Sequence, residues 1–63
     1  MPIVQIHLLE GRDIEKKRAI VKKVTEAICE TAEVPPEKVR IILSDMPYTD
    51  YAVGGVLTID QKK

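Results

Sequence analysis

Sixty-three residues carrying ten basic and ten acidic side chains, net charge zero, make a single domain over residues 1–63 that attracts neither nucleic acid nor anionic lipid by global charge. Hydrophobic residues at 44% and charged residues at 32% exclude a disordered linker; no membrane-length apolar stretch or signal peptide is visible, so a cytoplasmic protein is expected. A folded chain of this size buries only about 60% of its unfolded surface, and one cysteine with no Cys/His cluster offers neither disulfide nor metal, which leaves other copies of the chain as the staple.

Ile3 to Leu9 alternates, with Val4, Ile6 and Leu8 pointing one way and Ile3, Gln5, His7 and Leu9 the other. This is a strand whose first face suits an internal helix and whose second suits burial by a partner. Glu10-Gly11-Arg12 breaks the pattern, and Asp13 is placed to cap a helix. Apolar residues then recur at Ile14, Ile20, Val21, Val24, Ala27, Ile28 and Ala32, a helical stripe beside a charged, solvated face. Pro35-Pro36 stops this helix, because Pro35 disfavours helical geometry at Val34 and neither proline donates an amide hydrogen.

A short turn over Pro36-Glu37-Lys38 leads into a second strand, Val39 to Leu43, with Val39, Ile41 and Leu43 on one face and Arg40, Ile42 and Ser44 on the other. Ser44 to Tyr51, polar and containing Pro47, reads as a loop. Gly54-Gly55 turns the chain into Val56-Leu57-Thr58-Ile59, a short final strand or hairpin arm, and the lysine-ended tail is expected to fray. Strand, long helix, strand is a crossover unit, which sets its two strands parallel. The fold class is therefore α/β: a β-α-β unit with parallel strands and a short C-terminal strand or hairpin. Two strands under one helix leave edges and a face open, so the unit is completed by oligomerisation.

Proline directly after the initiator methionine carries most of the chemical information. Removal of Met1 leaves a secondary amine on a rigid ring, and an α-amino group has a reference pKa of roughly 8 that burial or nearby cations lower. Pro2 is then a proton acceptor poised near neutrality; the plainer reading is a residue that starts an edge strand, where its missing N–H costs nothing. Arg12 and Arg40 are permanent cations that fork onto carboxylates or enolate oxygens, unless they serve only as snorkelling side chains or subunit salt bridges. One amine and two guanidinium groups together suit proton abstraction from a carbon acid beside a carbonyl.

The other polar residues point less far. His7, on a half-apolar strand face, reads as an interface histidine, and Cys29 as a packed thiol on the helix flank. Asp45, Asp50 and Asp60 lack metal-ligand spacing. Tyr48 and Tyr51, the only aromatics, both fall in the loop, as side chains walling a pocket or an interface would.

Pro2-Ile3-Val4-Gln5-Ile6-His7-Leu8-Leu9-Glu10-Gly11-Arg12, the amphipathic helix, Val39-Arg40-Ile41-Ile42 and the closing aromatic-x-x-Gly-Gly segment together closely resemble the 4-oxalocrotonate tautomerase family over essentially the whole chain. The resemblance implies a cofactor-free, metal-free tautomerase of small unsaturated 2-hydroxy or 2-oxo acids, acting in aromatic hydrocarbon catabolism. It implies that Pro2 is the general base, that Arg12 grips the substrate's far carboxylate, and that Arg40, from a neighbouring subunit, holds the near carboxylate and the 2-oxygen. It places Leu9 beside the substrate and Tyr51 where an aromatic, often phenylalanine, keeps the site apolar. It also implies a homo-oligomer, a hexamer built as a trimer of dimers.

Three features depart from the family pattern: the hydroxyl of Tyr51, the stiff Pro47-Tyr48 pair, and the requirement that Met1 be removed, since a retained methionine turns the nitrogen of Pro2 into an amide. Two alternatives stand beside isomerisation. Relatives with the same proline hydrate haloacrylates or decarboxylate a semialdehyde, which needs a water-activating acid that no glutamate or aspartate matches here. A silent oligomer that binds small acids without turnover is the other.

Overall fold

The computed structural model describes residues 2–61. The fates of Met1 and of the lysine tail at Lys62 and Lys63 lie outside the described residues. β1 (Ile3–Leu9), α1 (Ile14–Ala32) and β2 (Arg40–Met46) follow in the expected order, and β1 and β2 pair in parallel from Ile3 opposite Arg40 to Leu9 opposite Met46. Asp13 caps α1 in extended conformation, its side chain accepting from the Lys16 amide at 2.9 Å. Helical geometry ends before the prolines, at Glu33, which is left-handed (φ 58°) and donates its amide to the Cys29 carbonyl at 3.1 Å. A single 3₁₀ turn over Pro36–Lys38 then delivers the chain to β2, as the sequence led us to expect.

β2 runs further than its apolar residues indicate. Ser44, Asp45 and Met46 continue the ladder against His7, Leu8 and Leu9, because the backbone groups of β1 satisfy theirs whatever their side chains are. Asp45 is fixed from the other layer: its carboxylate accepts from Lys17 Nζ of α1 at 2.7 Å. The expected loop therefore shrinks to Pro47 and a 3₁₀ turn over Tyr48–Asp50. The C-terminal segment is a hairpin of β3 (Ala52–Val53) and β4 (Val56–Leu57). Gly54 and Gly55 join the arms with φ of 62° and 85°, the two positive angles that a two-residue type I′ turn demands. Thr58 and Ile59 leave the strand for a final 3₁₀ turn, in part because the Thr58 amide and hydroxyl both bond the Tyr51 carbonyl, at 2.8 and 3.0 Å.

The protomer has two layers and no closed core. Val4, Ile6, Leu8, Ile41 and Leu43 on the sheet and Ile20, Val21, Val24 and Ile28 on the helix are half-buried, and no described residue is fully buried. On the outer face Ile3 and Ile42 stay 61% and 48% exposed. The accessible surface of 4990 Å² exceeds the roughly 4,100 Å² typical of a folded monomer of this mass. A Cα radius of gyration of 14.9 Å, against about 11 Å for a compact chain of this length, tells the same story. An exposed apolar face of this kind marks a surface for interaction.

Candidate active site

Open parallel sheets bind ligands beyond the carboxyl ends of their strands, and this chain has a cavity there. A hollow of about 650 Å³ is lined by His7, Leu8, Leu9, Arg12, Met46, Tyr48 and Tyr51. Each residue arrives for a local reason. Parallel register sets Leu9 beside Met46 as the floor. Gly11, at φ 121°, allows the sharp exit from β1 that brings Arg12 back over the strand end. The Arg12 Nη1 then donates to the Leu9 carbonyl at 3.0 Å, which steadies the guanidinium at the rim.

The Tyr48–Asp50 turn, closed by the Asp50 amide on the Pro47 carbonyl at 2.9 Å, supplies Tyr48, and the extended residue after it is Tyr51; each is 42% exposed. The result is an apolar and aromatic wall with one fixed cation. Ion pairs among the described residues are Lys17–Asp45, Arg18–Glu15 and Lys23–Glu26. Neither Arg12 nor Arg40 belongs to them, so both charges remain available to an anion. Among the described residues no carboxylate lines the cavity.

Pro2 and Arg40 lie elsewhere. The Arg40 amide donates to the Pro2 carbonyl at 3.0 Å, which joins the two residues at the amino ends of β1 and β2. The Arg40 Nη1 donates to the Glu37 carbonyl at 3.2 Å. Seven residue steps along β1, about 23 Å at the usual strand rise, separate Pro2 from Leu9. One protomer therefore brings Leu9, Arg12 and Tyr51 together at one end and Pro2 and Arg40 at the other.

His7, expected at an interface, lies exposed on the cavity wall of the single protomer, with no hydrogen bond to its ring among the described residues. Met46 escaped notice because it fell in the expected loop; extending β2 by parallel register would have found it opposite Leu9. Tyr48 and Tyr51 do wall a pocket. Cys29 is a free, half-buried thiol on α1. Among the described residues no three His, Cys, Asp or Glu side chains gather as a metal site, and no helix is long and apolar enough to cross a membrane.

Residues 2–61 match the tautomerase enzyme family. A probable tautomerase of Halalkalibacterium halodurans is 48% identical over 61 residues, 97% of this chain and 100% of the relative. A 2-hydroxymuconate tautomerase of Stutzerimonas stutzeri is 44% identical over 55 residues, 87% of each chain. Among solved structures, a heterohexameric 4-oxalocrotonate tautomerase from Chloroflexus aurantiacus shares the fold with a TM-score of 0.92 at 31% identity, covering 98% of this chain and 100% of that one. Agreement over the whole described length, in sequence and in fold alike, makes this chain a tautomerase, an isomerase of the 4-oxalocrotonate tautomerase family.

Proposed function

We propose that the protein interconverts small unsaturated 2-hydroxy and 2-oxo acids, with the amine of Pro2, freed by loss of Met1, as general base. The observation that carries this reading is Arg12, a cation steadied at the rim of a largely apolar cavity and, among the described residues, with no ion-pair partner and no carboxylate beside it in the cavity wall. Such a rim takes the far carboxylate of a dienoate and leaves the chain between Leu9 and Tyr51. The name of the Stutzerimonas stutzeri relative supports 2-hydroxymuconate as the class of substrate.

The reaction balances without a co-reactant. The Pro2 nitrogen accepts the proton of the 2-hydroxyl, the O–H electrons become the C=O bond, and the double bonds shift along the chain. The resulting ammonium returns the proton to a distal carbon, where the displaced electron pair forms the new C–H bond. Arg40 holds the near carboxylate and the 2-oxygen, where charge develops, and Arg12 draws density toward the far end. Apolar side chains around the amine disfavour its charged form and keep it a base.

Because Pro2 and Arg12 stand at opposite ends of β1, the site is completed by Pro2 of another copy entering the cavity. The exposed outer face and the hexameric relative support a hexamer as the assembly. Hydration and decarboxylation rank lower, since they need an acid to activate water and the described residues of the cavity wall include none. The test is direct: protein whose intact mass shows a free Pro2 should convert 2-hydroxymuconate to its conjugated ketone, followed by ultraviolet absorbance. No turnover of 2-hydroxymuconate or phenylenolpyruvate by such protein leaves a silent small-acid binder as the better description.

A further inference from the structure

We propose that Glu10 is a positioning residue, whose carboxylate ties the Tyr48–Asp50 turn to the end of β1 and so holds the tyrosine wall across from Arg12. The inference rests on the carboxylate-binding reading above. Its foundation is a hydrogen bond between residues 38 positions apart: the Tyr48 amide donates to Glu10 Oε2 at 3.3 Å.

The turn needs such an acceptor. Pro47, its cap residue, makes no side-chain hydrogen bond, and the Asp50 amide takes the Pro47 carbonyl, so the leading amide of Tyr48 has no partner within the turn. Glu10 also donates its own amide to the Met46 carbonyl at 2.9 Å. One residue thus grips the chain on both sides of Pro47, with its backbone at Met46 and its side chain at Tyr48. Arg12 is referenced to the same strand end through the Leu9 carbonyl. Both walls of the cavity are therefore set from one point. Glu10 forms no ion pair with Arg12 among the described residues, so it fixes the wall without consuming the cation.

The other tie on the turn comes from Thr58 to the Tyr51 carbonyl, and Thr58 follows an exposed hairpin. Without the Glu10 contact the spacing between Arg12 and the tyrosines is no longer set. An extended dicarboxylate, held at both ends, registers that loss as weaker binding, while proton transfer at Pro2 is untouched.

Steady-state kinetics with 2-hydroxymuconate test this. Glu10→Ala should raise KM at least fivefold with kcat within twofold of the parent, and Glu10→Gln, which keeps the acceptor oxygen, should restore KM to within twofold. Amide exchange at Tyr48 should quicken in Glu10→Ala and not in Glu10→Gln. If the alanine variant does not assemble, Glu10→Asp, one methylene too short to reach, is expected to give the same KM and exchange changes. Unchanged KM and unchanged Tyr48 exchange in either shortened variant overturn the proposal. Arg12→Ala in the same assay separates the two claims: parental kinetics there defeat the carboxylate reading, while Tyr48 exchange still reports on Glu10.

Discussion

The Arg40 amide bonds the Pro2 carbonyl at 3.0 Å, and this contact fixes both residues at the end of the sheet opposite Arg12. The base and the far-carboxylate anchor proposed at Pro2 and Arg12, separated by the length of β1, cannot serve one substrate within one protomer. The proposed site therefore requires a second copy of the chain.

Subunit mixing makes this measurable. Arg12→Ala and a Pro2→Ala variant should each lose at least about tenfold in kcat/KM, from the roughly 1.5–3 kcal/mol of a charge-assisted contact or the exchange of a rigid secondary amine for a mobile primary one. Unfolded together and refolded, they should regain activity, because roughly a quarter of shared sites in a randomly mixed closed oligomer carry both intact residues. No regain in the mixture would place both residues in one protomer's site.

Arg40→Ala should also cost about tenfold or more in kcat/KM with a dicarboxylate dienol, by the same charge-assisted contact. Parental kinetics in this variant would remove Arg40 from the site and leave its bond to the Glu37 carbonyl as its whole role.

The pH profile should carry the signature of an amine. The proposed base must be neutral, so the rate falls as pH drops through the pKa of Pro2, whose ordinary α-amino range is about 7.7–8.0. Protein that retains Met1 should lack both this limb and the activity. An unaltered profile in Met1-retaining protein identifies another base.

Ile42→Asp should dissolve the assembly, since Ile42 lies 48% exposed on the outer face of the sheet and an aspartate there places an unpaired charge in any contact that covers it. Native mass spectrometry should show monomer, and the thermal transition should be lost or fall steeply on dilution. Persistence of the parental mass would show that this face stays open to solvent.

Asp45→Ala tests the contact between the layers. The Lys17–Asp45 pair is part exposed, 25% and 45% by side chain, so screening limits its worth to about 0.5–1 kcal/mol, less in high salt. A change of several kcal/mol in thermal or denaturant unfolding would mean that the pair carries the end of β2.

Local order was legible in the sequence because it is set by neighbours along the chain. Alternation in Ile3–Leu9, the spacing of Ile20, Val21, Val24 and Ile28, the Asp13 cap and the paired glycines at the hairpin each act within a few residues. The parallel sense of the strands followed from the length of the crossover. Arg12 and Tyr51 were legible as residue types, through chemistry and family resemblance. That His7 and Met46 share their cavity was not.

What the sequence by itself determined is an open β-α-β unit, too small to enclose a core, with a proline after the initiator methionine and two arginines, Arg12 and Arg40, spaced along it. Only the tertiary structure decided that β2 runs on through the polar Ser44–Met46, that Glu10 reaches Tyr48, and that Met46 lies opposite Leu9 at the cavity floor. The reason is physical. Ladder hydrogen bonds join backbone groups irrespective of side chain, and contacts between residues 38 positions apart depend on register, which no local pattern encodes.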